Sequence, residues 1–197
     1  MAMRRLAVSL AMALLVASAS ACAQGNTPQG GGSATPTTSG TTSVTPSPDP
    51  SVSTSAWMTG PTTVKRDVPV PPVPVLLAIR SAAHPEAGYD RIVFDFQGRL
   101  PGYEIKYVPQ VLGDGTGDPV AVPGRRFLQV RFEPAQAHTD AGAPTVERTK
   151  SFNYPMLRGY TLAGDFEGVV TIGLGLDDTV GYRVGELTGR IYLDVAA

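Results

Sequence analysis

The chain contains one cysteine, Cys22, so all thiol chemistry rests on that residue. It follows Ala19-Ser20-Ala21 at the end of an apolar run, a place for modification of the thiol and not for a nucleophile in a cleft. Past the first 70 residues the only serines are Ser81 and Ser151, and the only histidines of the chain are His84 and His138. Both histidines sit in Pro- or Ala-rich segments, and nothing resembles the strained turn of a nucleophile elbow. Two distant histidines also fall short of the three or four ligands that zinc requires. Asp114-Gly115-Thr116-Gly117-Asp118 has the look of a calcium loop but lacks the pattern and the bidentate Glu, so a hairpin loop is expected. Asp177-Asp178 offers paired carboxylates, but neighbours on a strand face opposite sides, and a turn is the expected role. Gly164-Asp165 and Glu167-Gly168 read as turns as well. Tyr103 and Tyr107 share a face with Ile105. Exposed, they would stack on sugar rings; core packing is the favoured reading. No catalytic residue, metal site or cofactor is expected, and Tyr103 and Tyr107 are the candidate ligand-binding residues.

Cys22 takes its meaning from what precedes it. Arg4 and Arg5 form a positive start, Leu6 to Val16 an apolar stretch, and Ala17 to Ala21 a run of small residues. The apolar stretch is shorter than the roughly 20 residues a membrane-spanning helix needs, so residues 1–21 read as a secretory signal. The residues before Cys22 resemble the lipobox cleaved by signal peptidase II, with Ala19 in place of the more usual Leu. Lipidation of Cys22 is expected, since a lone thiol there otherwise lacks a reason in an oxidising compartment. The alternative is ordinary secretion, with cleavage after Ala19-Ser20-Ala21 and an unmodified Cys22. Twin-arginine export is disfavoured by Leu-Ala-Val after Arg4-Arg5. Two acyl chains give stable attachment where one does not, so the mature protein needs no transmembrane helix.

Residues 22–70 read as a Ser/Thr/Pro/Gly-rich tether. From Ala23 to Thr63 the only charge is Asp49, and there is too little apolar surface to offset the entropy of ordering. A disordered coil of about 40 residues reaches roughly 35 Å, and prolines extend it. O-glycosylation and an unmodified linker are equally open. Trp57 and Met58, the large apolar residues of this stretch, are expected to tuck against the domain that follows.

Residues 71–197 are expected to form one domain. Every Phe and Tyr lies at or beyond Tyr89. Val68 to Val75 alternates Val with Pro, which cannot donate to a ladder, so it reads as an extended lead-in or sheet edge. Arg91 to Phe96 alternates, with Ile92, Phe94 and Phe96 on one face. Leu100-Pro101-Gly102-Tyr103 fits a type II turn into the alternating Tyr103 to Tyr107, which together predict a hairpin. Further strands are expected over 127–133, 159–163, 169–176, 182–187 and 190–195. No stretch after the signal has sustained helical periodicity, so the fold class is all-β, a single β-sandwich with a barrel as the related option. Arg91-Ile92-Val93-Phe94-Asp95-Phe96 is echoed by Arg190-Ile191-Tyr192-Leu193-Asp194-Val195. Either two amphipathic strands coincide, or the two hold related positions in one sandwich.

These segments, with Tyr107 to Val111, Phe127 to Arg131, Leu162 to Gly168 and Gly173 to Asp177, resemble the AMIN-like domain of actinobacterial lipoproteins over roughly Leu76 to Val195. The resemblance implies a sandwich related to AMIN domains, which are non-catalytic and target amidases and secretin-type transporters to the cell wall. The chain carries net charge −1; losing Arg4 and Arg5 leaves 14 basic and 17 acidic residues, which gives no footprint for nucleic acid. The leading expectation is a non-catalytic protein, lipid-anchored through Cys22 on the extracytoplasmic face of a bacterial membrane, that binds peptidoglycan or an envelope protein. A scaffold pairing through a sheet edge and an envelope hydrolase using paired carboxylates are the alternatives.

Overall fold

The protein is described by a computed structural model over residues 56–197. The readings of the signal segment, of Cys22 and of the tether up to residue 55 concern residues outside that range. Alternating apolar residues dictate strands throughout, and among the described residues the only helical element is a 3₁₀ turn, Pro85–Ala87. Ten strands form: β1 (Thr62–Val64), β2 (Val75–His84), β3 (Tyr89–Gln97), β4 (Gly102–Val108) and β5 (Arg126–Glu133), then β6 (Thr149–Ser151), β7 (Leu157–Phe166), β8 (Val169–Leu176), β9 (Tyr182–Leu187) and β10 (Arg190–Ala196). They make a six-stranded sheet ordered β1-β4-β5-β8-β7-β6 and a four-stranded sheet ordered β2-β3-β10-β9. Every ladder is antiparallel. Packed face to face, the sheets form the expected β-sandwich.

The core is where the two inner faces meet. Ile92, Phe94 and Phe96 of β3 face Tyr103 and Ile105 of β4 and Leu128, Val130 and Phe132 of β5. Phe132 takes Phe94 and Phe96 edge-on, each with ring centroids 5.0 Å apart. Each fully buried Phe contributes about 2–3 kcal/mol through the apolar area removed from water.

Two expectations are corrected here. The first is the hairpin. β3 pairs with β2 and β10, whereas β4 pairs with β1 and β5, so the Pro101-Gly102 turn carries the chain from one sheet to the other. Both strands bury one face in the same core either way, and alternation cannot distinguish a neighbour within a sheet from a partner across it. The second is the tether's end at residue 70. Thr62–Val64 forms β1 against β4, and Met58 exchanges backbone hydrogen bonds with Tyr182 of β9 at 2.8 and 2.7 Å. Tyr182, fully buried, donates its hydroxyl to the Gly60 carbonyl at 2.6 Å. Residues 58–64 therefore form a strap that pairs with one sheet at Met58 and with the other at β1. Short and poor in charge, it earns its order from Tyr182 and not from its own composition.

The internal echo becomes a pairing. β3 and β10 are direct neighbours, in a register that sets Arg91 opposite Asp194 and Asp95 opposite Arg190. The two similar segments run antiparallel, so the Arg of each meets the Asp of the other.

Candidate functional site

Period-two alternation in β3 and β10 buries Ile92, Phe94, Ile191 and Leu193, which leaves Arg91, Asp95, Arg190, Tyr192 and Asp194 for the outer face of the four-stranded sheet. β9 adds Arg183 opposite Asp194. The result is a row of Arg91, Asp194 and Arg183 across three adjacent strands. Arg91 donates from Nε and Nη2 to the two oxygens of Asp194 at 2.6 and 3.0 Å, and Arg183 donates from Nε at 2.8 Å. Asp194 has no exposed surface. The hydrogen bond to its carboxylate raises the Arg91 pKa further, so this guanidinium is always charged.

Aromatic rings alternate with the two guanidinium groups. Arg183 lies 4.5 Å from the Trp57 ring centroid and 5.0 Å from that of Tyr89, while Arg91 lies 5.2 Å from Tyr89 and 4.3 Å from Tyr192. The column reads Trp57, Arg183, Tyr89, Arg91, Tyr192, with His84 stacked on Tyr89 at 4.7 Å. Each contact sets a cation against the negative face of a ring. Gly185 makes room for the column, because a Cβ there would run into the Tyr192 ring. Gly181 does the same at the other end, where a Cβ would come within 2.7 Å of Trp57 Cβ.

A second row lies along the same face. Arg80 donates to both oxygens of Asp95 at 2.6 and 2.9 Å, and Arg190 adds a bond at 2.9 Å. These bonds, Arg80's foremost, hold the Asp95 carboxyl below the usual carboxylate range against the opposing effect of burial. Four guanidiniums against two carboxylates leave the two rows with two net positive charges. Such a face can bind anions and stack rings. Both carboxylates are engaged by arginines and neither is free to act as an acid or base.

The residues singled out from the sequence fall elsewhere. Tyr103 is 6% exposed and donates its hydroxyl to Glu186 at 3.0 Å; burial and that carboxylate push its pKa well up. Tyr107 donates to the Val180 carbonyl at 2.7 Å and packs edge-on against Tyr182. Neither presents a ring for stacking on sugars, because the shared face with Ile105 is the core face. The placement agrees with core packing, the reading favoured from the sequence, over the ligand-binding role named for Tyr103 and Tyr107.

The catalytic inventory is scattered. Ser81 Oγ lies 3.3 Å from the Tyr154 hydroxyl, His138 Nδ1 lies 2.7 Å from Asp165, and Ser151 is exposed on the three-residue strand β6. Asp114 to Asp118 closes on its own backbone, with Gly113 N–H donating to the Asp118 carbonyl at 2.8 Å. Asp177 accepts from Arg125 and Arg158, each at 3.0 Å, and is held below the usual range chiefly by Arg158. Asp178 caps the N–H of Thr179 at 2.7 Å. Among the described residues no group of three or more His, Cys, Asp or Glu side chains is placed to hold a metal ion. A groove of about 600 Å³ beside β1 is lined by Glu104 and Glu133, but Glu104 is paired with Lys106 and Glu133 with Arg131.

Sequence reasoning passed over Trp57, Tyr89, Arg183 and Tyr192 as site residues. The signal was present in the echo, whose outward Arg and Asp are the centre of both rows; what was hidden was that the echoing strands adjoin.

No curated protein and no solved structure matches the chain. Residues 74–197 match the AMIN-like domain. That stretch holds nine of the ten strands, from β2 to β10, and with them both arginine rows. On a match that spans the sandwich from its first long strand to its last, the chain belongs to the AMIN-like domain family.

Proposed function

We propose that the protein is a non-catalytic binding component of the bacterial cell envelope, held to the extracytoplasmic face of the membrane by lipid on Cys22, that recognises peptidoglycan through the outer face of its four-stranded sheet. The observation that carries this reading is the Trp57–Arg183–Tyr89–Arg91–Tyr192 column. It offers guanidinium donors beside the exposed ring of Trp57 and the half-buried ring of Tyr89, the two features needed by a glycan whose carboxylates lie on its sugars or its stem peptides. Membership of the AMIN-like family supports an envelope-related binding role.

Supporting the anchored arrangement are the apolar run before Cys22 and the Ser/Thr/Pro/Gly-rich stretch after it. No described helix is long and apolar enough to cross a membrane, so attachment in this reading falls to Cys22. Cleavage before Cys22 and its acylation supply the anchor, and the tether lets the sandwich reach the wall.

The experiment is co-sedimentation of the folded mature protein with purified sacculi at two salt concentrations. The expected result is enrichment in the pellet that weakens with salt, as contacts to guanidinium groups require. No enrichment on sacculi sinks the peptidoglycan reading; capture of an envelope protein by crosslinking in its place would move the role to a partner protein.

The two alternatives find less support. Pairing through a sheet edge needs an open strand, and β1 and β6, which border the six-stranded sheet, have three residues each. β2 is covered by Gln136 and Thr145 at Leu76 and by Tyr154 at Ser81, and β9 by Met58. A hydrolase needs two carboxylates free in one cleft; Glu104, Glu133 and Asp177 are paired with basic residues, and Asp114 and Asp118, which line one groove, are both exposed to solvent on the loop after β4.

A further inference from the structure

The strap that precedes the family-matched domain has no evident need for a tryptophan. Met58 supplies the ladder to Tyr182, and β1 supplies the pairing with β4. Trp57 stands just outside that ladder and remains 42% exposed, one of few large apolar side chains on the surface. Yet its place is specified. Its ring lies against Arg183, and Gly181 is cut back beneath its Cβ. An exposed indole held in one orientation has lost its side-chain freedom before any ligand arrives, which lowers the cost of binding.

Beside it lie unused donors. Arg183 engages Asp194 through Nε, and Arg91 through Nε and Nη2; among the described residues, Nη1 of Arg91 and both Nη atoms of Arg183 donate to no protein acceptor. Asp194 compensates one of the two positive charges and leaves the other. The Arg183 guanidinium covers one face of the indole, which leaves the other for a pyranose ring that bears a carboxylate: the axial C–H face stacks on the indole while the carboxylate reaches past the ring edge to the guanidinium donors.

We propose that Trp57 is a sugar-stacking platform which, with Arg183 and Arg91, selects acidic over neutral amino-sugar glycans, so that the last residues of the tether complete the recognition face of the sandwich. This rests on the peptidoglycan reading and narrows it to a subsite. The selecting residue lies upstream of residues 74–197, so the matched domain alone lacks it.

The chain has a single tryptophan, which makes indole fluorescence a reporter of this site alone. The folded mature protein is titrated with soluble peptide-free glycan strands, whose muramic lactyl carboxyls are free, and separately with neutral N-acetylglucosamine oligomers. The expected result is a saturable change in emission with the acidic fragments and about tenfold weaker binding of the neutral ones. In calorimetry W57A should weaken the acidic fragments about tenfold, while W57F, which keeps a ring, should retain most of the affinity. Unchanged emission at saturating acidic fragment, equal binding of both glycans, or full affinity in W57A each overturns the subsite. Sacculus sedimentation separates the two readings: W57A that still sediments like the parent while emission is silent places binding elsewhere and removes only Trp57, whereas failure of the parent to sediment removes the broader reading too. Should W57A lose its cooperative melt, W57F with unimpaired folding but binding as weak as neutral glycan's overturns the proposal on its own.

Discussion

Asp194 and Asp95 are the same residue type in equivalent rows, and their surroundings separate them. Asp194 has no exposed surface and holds Arg91 and Arg183, themselves 28% and 12% exposed. Removing one partner of a buried group strands the rest, so Asp194→Ala should cost about 3–5 kcal/mol in urea unfolding. Asp95 is 19% exposed and its arginines, Arg80 and Arg190, are more than half exposed, so Asp95→Ala should cost about 1 kcal/mol or less. Equal losses would refute this account of the outer face. Asp95 also predicts a pH dependence. Its folded pKa is depressed, so its stabilisation is present above the ordinary carboxylate value of about 4 and is lost as pH falls through the lower folded value. Asp95→Asn should therefore flatten the acid limb of a stability–pH curve and leave its slope near neutrality unchanged. At this scale the sequence was legible wherever alternation placed a side chain: Phe94 inward, Arg91 outward. For Tyr103 and Tyr107 it favoured core packing and left sugar stacking open, since amphipathic tyrosines serve a core as well as a surface, and only the neighbours Glu186 and Val180 give their hydroxyls partners inside.

The strap is where element and composition disagree. A chain beginning at residue 71, at the boundary that composition suggests, would lose β1, the Met58 ladder and the Gly60 acceptor of the Tyr182 hydroxyl. The β1 ladder, the two Met58 bonds and the shortest bond of the Tyr182 hydroxyl, which keeps only the Ile105 carbonyl at 3.3 Å, predict a deficit of about 2–4 kcal/mol against a chain beginning at residue 56, measurable as a lower denaturant midpoint. Indistinguishable midpoints would show the strap to be passive. Strand positions elsewhere were readable from period-two runs and from apolar runs bounded by turn residues; 169–176 and 182–187 agree with β8 and β9 at both ends, although β8 is buried on both faces. β1 was hidden because three residues carry no periodicity, and the β3–β4 crossing was hidden because a Pro-Gly turn serves a hairpin and a sheet change alike. Phe94→Asp tests the core common to both sheets: with Phe94 fully buried against Phe132, the variant should show no cooperative melt.

For the molecule as a whole, the proposed arrangement puts anchor and recognition at opposite ends of a spacer. Cys22→Ala should abolish labelling by a palmitate analogue and shift the protein from the membrane fraction to the soluble one, with the sandwich still folded. Retention at the membrane without label would require another means of attachment. Acylation and sacculus binding should be separable, since Cys22 precedes the sandwich by more than 30 residues of linker composition.

Composition and period were sufficient for the fold class. Repeated two-residue alternation is a local property that each stretch carries in itself, as the lone thiol after an apolar run is for the proposed anchor. The proposed binding face is not local. Trp57, Tyr89, Arg91, Arg183 and Tyr192 come from the residue that leads into the strap and from three strands, and they meet because β10 lies between β3 and β9 while Met58 pairs with Tyr182. Which strands adjoin is settled by the packing of two sheets into one core, and that choice turned a repeated Arg-to-Asp spacing into a continuous cationic and aromatic surface.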